Sequence, residues 1–134
     1  MTRRGWFAGL LAAAALAIAA PALAHHSFAA EFDANQPISV HGVLKQVRLE
    51  NPHSWFFVDV TTPEGKVETW SFEASTPSSL IRSGFKLNTA KPGDEVTIKG
   101  YHARDMHANA GAGRELVLAD GRAFAIGPTV GPAR

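Results

Sequence analysis

Ile38-Ser39-Val40-His41-Gly42-Val43-Leu44-Lys45-Gln46-Val47-Arg48-Leu49 is the stretch that decides the fold. Side chains alternate across a strand, so a strand with one buried face keeps its apolar residues in one phase. Here Ile38, Val40 and Leu44 hold one phase, whereas Val43, Val47 and Leu49 take the other. A phase change beside Gly42 predicts a bulge or sharp coil in mid-strand. A long strand bent at its middle can serve both halves of a small barrel.

The elements downstream fit that role. Pro52 keeps Asn51 out of the helical region and ends the first strand. Ser54 to Thr61 reads as a second strand, with Trp55, Phe57 and Asp59 on one face and Phe56, Val58 and Val60 on the other. Pro63-Glu64-Gly65-Lys66 is a turn, and Val67 to Phe72 returns as a third strand. Thr76-Pro77 has the form of an N-cap with proline at the first helical position. A short helix then runs over Ser78 to Ser83, with Leu80 and Ile81 inward and Gly84 as its C-terminal glycine. Glu95 to His102 is a fourth strand with Val96 and Ile98 inward. Ala103 to Gly113, rich in Ala and Gly, reads as a flexible loop. Arg114 to Leu118 is a fifth strand, Asp120-Gly121 a hairpin turn, and Arg122 to Ile126 a sixth. The expected fold class is all-β with one short helix, a small OB-fold-like barrel of five to six strands. The competing arrangement of the same strands is a small open sandwich.

The expected plan of the chain is a signal peptide over 1–24, an N-terminal arm over 25–37, the barrel over 38–127 and a tail over 128–134. Arg3 and Arg4 begin the signal, Trp6 to Ala20 is uncharged and apolar, and Ala22-Leu23-Ala24 offers a small-x-small cleavage site. Thr2-Arg3-Arg4-Gly5-Trp6-Phe7 is also a partial twin-arginine pattern. The apolar run is short for a bilayer, which needs about 20 apolar residues, so no membrane span is expected after cleavage. The expected location is the periplasm. Residues 1–24 hold two arginines and no acid, so cleavage takes the formal charge from +1 to −1. A chain that is not basic is a poor partner for nucleic acid. With no cysteine, thiol chemistry and disulfides are excluded, and the fold rests on its apolar core.

His25-His26-Ser27-Phe28 directly after the cleavage site, Glu31-Phe32-Asp33, Asn51-Pro52-His53-Ser54-Trp55, Lys91-Pro92-Gly93-Asp94-Glu95-Val96, Gly100-Tyr101 and Leu118-Ala119-Asp120-Gly121-Arg122 together resemble a family of small exported bacterial proteins of unknown function. The resemblance covers nearly all of the mature chain. It implies an exported single-domain β protein and supplies no activity.

The chemistry must therefore be read from the residues. All six histidines, His25, His26, His41, His53, His102 and His107, follow the cleavage site. Neutral imidazole is the commonest metal ligand. Cleavage after Ala24 would give His25 an α-amino nitrogen beside its ring nitrogen, a chelate suited to Cu(II). His53, His102 and His107 are the candidates for a third nitrogen, and His26 is a further candidate ligand. Met106 could assist Cu(I), and Glu31 or Asp33 could add oxygen. His53 could instead fix its turn by bonding a loop carbonyl. Trp55, Phe57, Trp70 and Phe72 are mainly core by strand alternation. Trp55, nearest the Asn51-Pro52-His53 loop, is the exception, and with Asn51 it forms the candidate ligand-binding pair. Ser27, Ser54 and Ser71 lack a nucleophile elbow, and there is no phosphate-cradling glycine loop. The expected function is an exported, non-enzymatic binding module, with copper held through His25 as its candidate ligand. The rival is an adaptor that binds a peptide, glycan or envelope protein on the face of strands two and three.

Overall fold

The computed structural model describes residues 28–128. Over these residues it is a small closed β-barrel of five strands with one added strand and two short helices. The turn α1 (Phe28–Glu31) leads into β1 (Phe32–Arg48), followed by β2 (Trp55–Thr61), β3 (Val67–Glu73), α2 (Pro77–Arg82), β4 (Glu95–Ala103), β5 (Ala110–Leu118) and β6 (Ala123–Ala125). The strands run β3-β2-β1-β4-β5-β6, and β3 also pairs with β5 to close the barrel. This is the OB-like order expected from the sequence.

The long first strand serves both halves. Ile38 to Val43 pair with β4, from Ile38 opposite Gly100 to Val43 opposite Glu95. Val43 to Arg48 pair with β2, from Val43 opposite Asp59 to Arg48 opposite Trp55. The register slips between Leu44 and Gln46, at the phase change seen in the sequence. Gly42 is needed there because a Cβ would meet the Asp59 carbonyl and lie 2.8 Å from Val58 Cγ1. β1 also begins earlier than expected, at Phe32 rather than Ile38. Phe32 is buried and pairs with Ala103, but register is lost before Pro37. That break hides any alternation over 33–36.

Phe56, Val58 and Phe72 from the β2–β3 hairpin meet Leu44, Val96, Ile98 and Leu116 in the core. Phe85 packs edge-on against Phe56 at 5.3 Å and Phe124 at 6.1 Å. Thr76 caps α2 by accepting from the Ser79 amide, and Gly84 adopts φ +92° after the helix. Leu80 is buried as expected, but Ile81 is 61 % exposed. Successive helical residues point about 100° apart, so so short a helix buries one of the two.

The largest departure concerns Ala110-Gly111-Ala112-Gly113. These residues, expected in a loop, are the first half of β5. They pair antiparallel with β4 on one side and parallel with β3 on the other, Ser71 with Ala110 through Glu73 with Ala112. Their small side chains reflect close approach. A Cβ on Gly111 would lie 2.6 Å from the Tyr101 carbonyl oxygen and 2.9 Å from Ile38 Cδ1. Gly111→Ala is therefore expected to cost about 1–3 kcal/mol, the usual penalty of overpacking, seen as a lower Tm in thermal unfolding. An unchanged Tm would show that this part of the barrel is not tightly packed.

Candidate functional site

The end of the parallel β3–β5 pairing opens into a cleft of about 470 Å³. Phe28 and Phe32 of the N-terminal segment, Pro52, Ala74 and Ala112 give it an apolar lining. Into this lining come four charged or titratable groups: Glu31, His53, Glu73 and Arg114. The hydroxyl residues Ser75, Thr76 and Ser79 complete one wall. Apolar clefts with a few convergent polar groups are the usual form of small-ligand sites.

Backbone pairing positions each group. Trp55 stands opposite Glu73 across the hairpin, so His53, just before β2, comes beside the end of β3. Its Nδ1 lies 3.2 Å from Glu73 Oε1. His53 follows Pro52, whose peptide bond with Asn51 is cis. The ring thus meets a carboxylate rather than the loop carbonyl expected from the sequence. The Glu73 side chain is only 18 % exposed. Burial pushes its carboxyl above the usual value, His53 opposes that, the charge of Glu31 adds to it, and Arg114 opposes it.

Arg114 follows the stretch of β5 that closes the barrel. Burial lowers its pKa, against the pull of Tyr101 and Glu73. Its guanidinium carbon sits 4.8 Å from the Phe28 ring centroid and 5.7 Å from that of Tyr101. Its Nε is shut from solvent and has no hydrogen-bond acceptor. Arg104 fastens α1 from below: its amide donates to the Glu31 carbonyl at 2.9 Å, and its Nε donates to the Ala29 carbonyl. Phe28 also packs on Phe32 at 5.5 Å. Phe28, Glu31 and Phe32 thus form a wall of the cleft.

The candidate residues from the sequence separate here. His53 lines the cleft. His102 does not: it shares the inward phase of Val96, Ile98 and Gly100, is 7 % exposed, and meets Trp70 edge-on at 5.4 Å. Its Nδ1 bonds the Ala103 carbonyl at 2.7 Å, which fits a structural ring. His107 is exposed in the loop before β5, where its amide donates to Asp105 Oδ1. His25 and His26 lie outside the described residues. Among the described residues, no group of three His, Asp or Glu side chains could hold a metal ion. Trp55 is half-buried and Asn51 exposed, next to the cleft in sequence but not lining it. Phe72 is core, and Trp70 stacks on it at 6.0 Å.

Arg114, Glu73, Phe28 and Phe32 were missed as site residues. For Glu73 a signal existed, since alternation from Trp70 and Phe72 turns it outward at the strand end. For Arg114 none existed until the preceding four residues were known to be strand.

The family described as "Family of unknown function (DUF6152)" matches residues 13–112, which takes in β1 to β4 and the start of β5. No curated protein matches the chain, and no solved structure does.

The raised pKa of Glu73 has a definite sign. A carboxyl that binds its proton more tightly when folded contributes stability below its unfolded pKa, and that contribution is lost as pH rises through the folded value. Wild type should therefore lose stability relative to Glu73→Gln as pH rises from the ordinary glutamate range through the raised folded value. Thermal melts of both proteins across that range check this; parallel curves would show that the cleft does not perturb Glu73.

Proposed function

The chain belongs to this family of unknown function, and we propose that it is an exported, non-enzymatic binding module whose ligand enters the cleft beside α1. The observation that carries this reading is the cleft itself. An apolar lining of about 470 Å³ gathers Arg114, Glu73, His53 and Glu31, and charged groups converging on apolar surface are costly unless something uses them. Export follows from the signal pattern over residues 1–24. In a ¹⁵N-labelled chain starting at His25, small amphipathic fragments should shift the amides of His53, Ser75 and Ala112. They should leave those of the Lys91–Asp94 turn in place. Shifts confined to other surfaces would overturn this site.

A second reading, a Cu(II) site built on the His25 amine and ring, is favoured by one observation. Among its three candidate partners, His53 lines the cleft that Phe28 also lines. Phe28 is three residues after His25, a span of at most about 11 Å of extended chain. With His53 as third nitrogen, Cu(II) affinity should fall on His53→Ala and stay level on His107→Ala. Adding one residue before His25 should weaken binding and change the electron paramagnetic resonance spectrum. An extended chain with unaltered affinity and spectrum removes the copper reading and leaves the cleft reading standing.

A further inference from the structure

The cleft also shows what class of molecule would fill it, on the premise that it is the ligand site. A guanidinium presents five N–H donors in a flat fork, which matches a carboxylate edge-on. Phe28 and Tyr101 contact Arg114, at 4.8 and 5.7 Å from its central carbon. Such contacts offset part of the charge without using the donors. The hydrogen bond that Arg114 does make, from Nη1 to the Gly113 carbonyl, is long at 3.4 Å. Among the described residues no carboxylate comes within ion-pair distance of it, and Glu73 acts on its charge from farther off. The cation is held in place, and since Nε is shut from solvent the donors it has to offer are those of its Nη groups.

The same cleft has an acidic pole. Glu73 and Glu31 both line it, and among the described residues the imidazole that lines it, His53, faces Glu73 at 3.2 Å. A simple anion would gain at Arg114 and be repelled by the Glu73 carboxylate. A simple cation would meet the reverse. A molecule carrying both charges gains at both poles, and Phe32, Pro52 and Ala112 offer apolar surface to its body.

We infer that the cleft takes a small zwitterion with an apolar body, of the size of an amino acid or dipeptide, with its carboxylate on the Arg114 fork and its ammonium at Glu73. Free amino acids and short peptides share this chemistry, and the probes separate them.

Four probes decide it by calorimetry on the chain starting at His25: L-leucyl-L-leucine, its C-terminal amide, its N-acetyl derivative and L-leucine. The dipeptide should bind, and each blocked form should bind at least about tenfold more weakly, the ratio that about 1.4 kcal/mol represents. Arg114→Gln should abolish the penalty for amidation and keep that for acetylation. Glu73→Gln should do the opposite. Tighter binding of leucine than of the dipeptide assigns the free amino acid; the reverse order assigns the peptide. If a variant fails to fold, the blocked forms against wild type still decide, and Arg114→Lys tests the fork while keeping the charge. Blocked forms that bind as well as the parent and shift the cleft amides overturn the zwitterion and leave the site standing. No saturable binding of any probe overturns the zwitterion as well. If amphipathic fragments in addition leave the cleft amides unmoved, the site falls with it.

Discussion

The parallel pairing of β3 with β5 is the constraint on which the rest depends. Only three residue pairs make it, Ser71–Ala110, Phe72–Gly111 and Glu73–Ala112. Without it the sheet would be open, with the edges of β3 and β5 exposed and Phe72 and Leu116 facing water. Closure requires backbones to approach more closely than side chains usually permit. The alternation of Ala and Gly from Ala110 to Gly113 meets that requirement: on Gly111 a Cβ would stand 2.6 Å from the Tyr101 carbonyl oxygen of β4 and 3.3 Å from Phe72 Cε1 of β3. The cleft is a product of the same closure. Glu73 makes the last pair, with Ala112, and Arg114 follows two residues later in β5, so both are left at the same end of the barrel.

The second constraint is the division of β1 between two neighbours. Val43 is paired on both sides, to Asp59 of β2 and to Glu95 of β4. Strand segments before and after it each have one of those partners. A strand shared in this way must coil, and coiling needs a place where no side chain obstructs the neighbour. Gly42 provides the place and the slip between Leu44 and Gln46 provides the extra twist. The slip also restores Leu44 and Val47 to the core from opposite phases of the sequence pattern.

These two constraints differ in how legible they are. A phase change among Ile38, Val40, Val43, Leu44 and Val47 is a pattern in apolar residues, and apolar periodicity is what sequence displays best. The cap at Thr76, the proline after it and Gly84 are local signals of the same kind, and the barrel order follows from them. Ala110 to Gly113 is ambiguous by nature. Small residues mark both mobile loops and the tightest backbone contacts, and nothing local separates the two. Most of the site was illegible for that reason, since Arg114 gains a place only when the preceding residues are strand. His102 is the opposite case. Its phase with Val96 and Ile98 points inward, and strand parity outweighs the metal-binding chemistry of its imidazole.

The N-terminal segment joins the fold to the site. Arg104 follows β4 and Arg114 lies within β5, one holding the carbonyls of Ala29 and Glu31 and the other the ring of Phe28. Two cations therefore fasten one short turn, and that turn supplies Phe28 and Glu31 to the cleft. The hydrogen bond from the charged Arg104 Nε is worth about 1.5–3 kcal/mol, that from its backbone amide about 0.5–1.5 kcal/mol and a cation–π contact about 0.5–2 kcal/mol, enough to hold four residues that bury little core of their own. The consequence is a coupling of wall and ligand. A group that draws the Arg114 fork toward itself acts on the same guanidinium that holds Phe28, so occupancy of the cleft and docking of the segment that follows His25 and His26 share one side chain.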